Sequence, residues 1–138
     1  MRMGDETRLE SFQRMLDISP FQRWLGLDVE QVEDGRLTIG VDWRDEFVSH
    51  PQFRTMHGGI LASLIDLGGL YAILAAGATA TATVDLRVDY HRPASGERIR
   101  SVSQTIKLGS KVSSAGTEIY GVSGQLLASG RGVYLMGG

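Results

Sequence analysis

The sequence predicts an α+β fold, one antiparallel sheet of about six strands with a single long central helix against it. Three observations predict it. Only the segment 58–76 is both long and apolar enough for a core helix. Strand-like stretches flank it, two before and four after. Turn signals separate those stretches at short intervals. The 138 residues are the usual size of one domain, and neither a repeat nor an internal linker divides 1–138.

Two short helices are expected within residues 1–26. Thr7-Arg8-Leu9-Glu10 reads as a capping box, and Leu9, Phe12, Met15 and Leu16 follow at helical spacing. Ser19-Pro20 is a second start, a cap residue with proline at the first helical position. That helix carries Phe21 and Trp24 and should stop at Gly26. A first strand is expected over 27–32, with a hairpin signal at Asp34-Gly35. Leu37, Ile39, Val41 and Trp43 alternate as a half-buried strand requires, whereas 44–56 has no period and reads as a loop. After the helix, strands are expected over 81–91, 98–108, 112–122 and 125–136. In the first of these, Val84, Leu86, Val88 and Tyr90 share one face, and Asp85, Arg87, Asp89 and His91 the other.

Composition excludes several functions. A formal charge of −2 without basic runs argues against nucleic-acid binding, which needs a dense basic face. The absence of cysteine excludes disulfides, thiolate metal sites and a cysteine nucleophile. His50, His57 and His91 lack close metal-ligand spacing, so no metal is expected. Residues 1–10 are charged and lack the apolar run of a signal peptide, and a cytoplasmic protein is expected. The charge-poor stretch 58–84 contains Asp66 and ends in a Thr- and Gly-rich segment. A buried core helix, and no membrane association, is therefore the expectation.

Asp66 is the oddity of that helix. At 100° per residue, Ile60, Leu64, Leu67, Tyr71 and Leu74 form one stripe, expected to pack on the sheet. Asp66 falls roughly 120° from its centre. Beside it lie Gly59, Ala62, Ser63, Gly69 and Ile73, a mostly small face suited to a partner subunit. No lysine or arginine lies within the helix to pair with it, and burying an unpaired carboxylate costs several kcal/mol. Either it is exposed or ion-paired from elsewhere, or it is kept for chemistry.

His57-Gly58-Gly59 precedes the helix. This is either a tight turn that needs small residues or an opening that leaves the first-turn amides to hold an oxyanion. Seven residues separate Gly59 from Asp66, about 10.5 Å of axial rise. One carbonyl carbon cannot reach both in one chain, so a shared site requires two chains, with antiparallel helices across a two-fold axis.

Residues 57–66, His-Gly-Gly-Ile-Leu-Ala-Ser-Leu-Ile-Asp, resemble the signature of the PaaI-type hot-dog thioesterases. Residues 83–94, Thr-Val-Asp-Leu-Arg-Val-Asp-Tyr-His-Arg-Pro-Ala, resemble the strand that follows in the same family, and the likeness runs over 27–136. The resemblance implies a hot-dog fold, a sheet wrapped around a long helix, in dimers or tetramers hydrolysing acyl-CoA without a further cofactor. It implies that Asp66 is nucleophile or general base, that the Gly59 amide polarises the carbonyl, that His57 shapes the loop, and that Thr83 stands near the attacking water. It also implies that the CoA tail lies along Tyr90, His91, Arg92, Pro93, Ala94 and Ser95 and along Lys107, Gly109, Ser110 and Lys111. Arg92, Lys107 and Lys111 are then candidate phosphate contacts.

Many relatives place asparagine six residues before the histidine and glycine three before it; here Pro51 and Arg54 stand there. Gln52 or His50 is a candidate for the missing polar side chain. Arg54 is a candidate partner for Asp66, a pairing that would favour an inactive protein. The alternative function is a hot-dog module that binds or senses acyl-CoA without cleaving it. A hydroxyacyl-thioester dehydratase is a third reading, poorly served by the spacing of His57 and Asp66. Phe47, Phe53, Met56 and Tyr71 are candidates for an acyl pocket or ordinary core.

Overall fold

The computed structural model describes residues 6–137, so part of the N-terminal stretch 1–10 lies outside the described residues. Thr7 opens helix α1 (Arg8–Leu16): its Oγ1 accepts from the Glu10 amide at 3.1 Å, and Glu10 Oε1 accepts from the Thr7 amide at 3.3 Å. Ser19 caps α2 (Pro20–Leu25), and Gly26 ends it in the left-handed region at φ 72°. Both starts were legible because capping is local chemistry.

Strands β1 (Leu27–Glu33) and β2 (Arg36–Val41) form the expected hairpin. The central helix α3 (Gly58–Ala75) follows, then β3 (Ala80–Tyr90), β4 (Ile99–Lys107), β5 (Val112–Tyr120) and β6 (Leu126–Met136). All pairings are antiparallel, in the order β1-β2-β4-β5-β6-β3. This is the hot-dog fold. Gln13 of α1 guards the β1 edge, accepting from the Val29 amide at 2.7 Å and donating to the Leu27 carbonyl at 2.9 Å. The other edge strand, β3, carries mostly exposed residues.

Four expectations need correction. Strand β2 is buried on both faces, not one. On its outer side the Arg98 side chain crosses Gly40 to reach Glu30, Asp28 and Asp42, and a Cβ at Gly40 would overlap the guanidinium. Val84 does not share the inward face of Leu86 and Val88; it is the extra residue of a β-bulge between Thr83 and Asp85, and it is exposed. The stretch 44–56 contains a short 3₁₀ turn (Asp45–Phe47) that buries Phe47 completely, and it closes by a bridge between Val48 and Met56.

The fourth concerns the rotation of α3. Ile60, Leu64 and Leu67 are buried as expected, in a cluster with Phe12, Leu16, Leu25 and Phe47. Tyr71 and Leu74 are only half-buried. The closest approach to the sheet is made by Ile65, Gly68 and Gly69, which face Gly130, Ser103 and Tyr134. Gly69 and Ile73 are therefore core, not partner-facing: absent side chains let helix and sheet backbones approach. Ala62, Ser63, Asp66, Leu70 and Leu74 form the half-open face. Helix α3 has the length and apolarity of a membrane span, but more than half of it is buried inside the fold.

Candidate active site

Asp66 sits at the middle of α3, half-buried, where the open helix face meets edge strand β3. Thr83 Oγ1 donates to Asp66 Oδ1 at 2.5 Å. The bulge that follows Thr83 re-aims the strand at this point. Opposite Thr83 in the β3–β6 ladder stands Tyr134, whose hydroxyl donates to the Asp66 backbone carbonyl at 2.8 Å. Burial, and then the charge of Asp66, push the Tyr134 phenol well above its ordinary range, so it remains a neutral donor. No ion pair involves Asp66 among the described residues. Arg54 instead pairs with Asp45 at 2.6 Å.

His57 is the N-cap of α3, and its Nδ1 accepts from the Gly59 amide at 2.9 Å. The Gly59 N–H is thus aimed outward from the helix start and already holds an acceptor. The loop before it is held by Ser49 N–H donating to the Thr55 carbonyl at 2.8 Å and His57 N–H to the Phe47 carbonyl at 2.7 Å. Arg54 adopts φ 53°, the left-handed region. The backbone conformation that glycine favours thus survives without the glycine. Gln52 lies exposed at the loop tip, its backbone N–H donating to His50 Nδ1 at 3.1 Å.

A surface cleft of about 520 Å³ unites the helix start with the end of β3: His57, Gly58 and Gly59 face Tyr90, His91, Arg92, Pro93 and Ala94 across it. Tyr90 Oη ties the two together by donating to the Gly58 carbonyl at 2.8 Å. Ala94 is largely buried at the cleft wall, and its carbonyl accepts from the Met56 amide at 2.8 Å. Ser95 is exposed just beyond. A second cleft of about 440 Å³ gathers Lys107, Gly109, Ser110 and Lys111, and adds Arg131 from β6. Asp66 and Thr83 line neither cleft.

The sequence reading missed Tyr134, Tyr90 as a tie to Gly58, and Arg131 beside the two lysines. The glycines at 69 and 132 were the available signal for Tyr134, since a Cβ at either would overlap its hydroxyl.

A long apolar helix laid on a six-stranded antiparallel sheet defines a protein of the hot-dog class. The profile of the thioesterase superfamily matches residues 53–128. A crystal structure of a protein from that superfamily superposes with a TM-score of 0.89 at 39% identity, covering 96% of this chain and 100% of its own. The chain belongs to the thioesterase superfamily, as a thioester hydrolase. It is 29% identical over 135 residues to the medium/long-chain acyl-CoA thioesterase YigI of Salmonella typhimurium, covering 86% of each chain. The Escherichia coli PaaI structure shares the fold with a TM-score of 0.83 at 22% identity, over 92% of this chain and 91% of that one.

Proposed function

We propose that the protein hydrolyses acyl-CoA thioesters to the free acid and CoA, with Asp66 as the reacting carboxylate. The observation that carries this reading is the Asp66 carboxylate, free of any cationic partner among the described residues and held by the Thr83 hydroxyl at 2.5 Å. The carboxylate takes a proton from water as it attacks the carbonyl carbon, or attacks that carbon itself and is released by water. In either route the carbonyl π-electrons move onto oxygen, return as the C–S bond breaks, and CoA leaves as its thiolate. The Gly59 N–H, at the positive end of α3, holds the developing oxyanion; the thioester oxygen takes the place His57 Nδ1 fills.

Two chains build each site in this reading. Asp66 and Gly59 are seven residues apart on one straight helix, about 10.5 Å. The open face of α3 and the long edge of β3 lie together, and a second copy would cover both. Lys107, Lys111 and Arg131 then offer charge for CoA phosphates, in a cleft separate from the one between the helix start and Tyr90–Pro93. The likeness to YigI makes medium- and long-chain acyl groups the first to test.

The experiment is thiol release from a panel of acyl-CoAs, paired with a binding measurement. Turnover supports hydrolysis; binding without turnover supports the sensor. Mixing Asp66→Ala with Gly59→Pro, which removes the amide at a helix position that tolerates proline, tests the shared site. Random pairing should restore about a quarter of wild-type activity, since half the dimers would hold one intact site. No recovery would place both groups' roles within one chain.

A further inference from the structure

We infer that Tyr134 is a positioning residue for the reaction, acting through the backbone of Asp66; this rests on the reading of Asp66 given above. Four observations carry it. Tyr134 is fully buried and is the largest side chain in its cluster, beneath the middle of α3. Its hydroxyl donates to the Asp66 carbonyl at 2.8 Å and lies 3.4 Å from that of Ile65. Both carbonyls already serve the helix ladder, so this is an added bond at the one turn that carries the carboxylate. The space for the hydroxyl exists because neither Gly69 on α3 nor Gly132 on β6 has a Cβ.

The fourth observation is register. Tyr134 and Thr83 are cross-strand partners. One grips the backbone of Asp66 and the other its carboxylate. The rotation of α3 about its axis is thus pinned to the same strand pair that orients the Asp66 side chain. A loss of the phenol hydroxyl leaves the ring packed but lets the helix turn, so the carboxylate swings away from Thr83. Burial keeps the phenol protonated, and Tyr134 does not line the cleft at the helix start. It neither donates a proton to substrate nor binds it.

The test is Tyr134→Phe measured with the best acyl-CoA found for the wild type. A tenfold or greater fall in kcat, KM within about twofold, and an unchanged fold by circular dichroism are expected, because the defect reaches only the reacting carboxylate. In an Asp66→Ala background, Tyr134→Phe should change the residual rate no further. Unchanged kcat in Tyr134→Phe, while Asp66→Ala is inactive, would overturn the positioning role alone. Further loss of the residual rate in the double variant would mark Tyr134 as merely structural. A fully active Asp66→Ala would instead remove the reading of Asp66, and this inference with it.

Discussion

The Thr83 hydroxyl and the Asp66 carboxylate meet at 2.5 Å across the junction of β3 and α3, one residue before the β3 ladder is broken by a bulge. A hydrogen bond to a charged group is worth about 1.5–3 kcal/mol. Thr83→Ala should therefore lower kcat by roughly tenfold to a hundredfold, with Thr83→Ser restoring most of it. Equal rates for wild type and Thr83→Ala would mean that the hydroxyl does not serve the carboxylate in the reaction.

Arg54 takes the left-handed conformation that glycine adopts without strain. Its pair with Asp45 joins two exposed side chains and contributes little. Arg54→Gly is expected to be neutral or stabilising by up to about 1 kcal/mol, the gain limited by a more flexible unfolded chain. Denaturant midpoints check this, and a loss above 1 kcal/mol would show that the Arg54–Asp45 pair holds the loop.

Glu30 sets an acid limit on stability. Burial pushes its carboxyl upward, but hydrogen bonds from Arg98 and Arg100 outweigh that and hold it below its ordinary value. A lowered folded pKa contributes stability that is complete above the unfolded value, about 4.3, and is lost as pH falls through the folded value. Wild type should lose stability on acidification below about pH 4.3, and Glu30→Gln should lose less over the same range. Identical pH slopes would show that the Arg98 network carries no such linkage.

Lys107, Lys111 and Arg131 border one cleft on the strand pair that flanks β5. Exchanging both lysines for glutamate should raise KM for acyl-CoA about tenfold or more while leaving kcat within a few-fold, with a steeper dependence of KM on salt lost. An unaltered KM would place the CoA phosphates elsewhere.

Local chemistry was readable in the sequence wherever one residue fixes one turn. The caps at Thr7 and Ser19, the stop at Gly26, the hairpin at Gly35 and the strand spans needed no tertiary information. The rotation of α3 was not readable from hydrophobicity, because Gly68 and Gly69 approach the sheet through missing side chains that a hydrophobic stripe does not register. Val84 was misplaced because alternation assumes an unbroken ladder, and the bulge adds a residue. Asp66 stands out in the sequence as an unpaired carboxylate in an apolar helix, but Thr83 joins it only through the family resemblance, since 17 residues separate them and only the fold brings them together. Tyr134 was just one more apolar position in a strand until its hydroxyl had a partner.

The most direct measurement is CoA-thiol release by Asp66→Asn, which keeps the shape of the side chain and removes its charge. Removing a reacting carboxylate should lower kcat by about 10²–10⁴-fold, with acyl-CoA binding and the melting transition preserved. Turnover within a few-fold of wild type would show that the negative charge on α3 is not the group that cleaves the thioester.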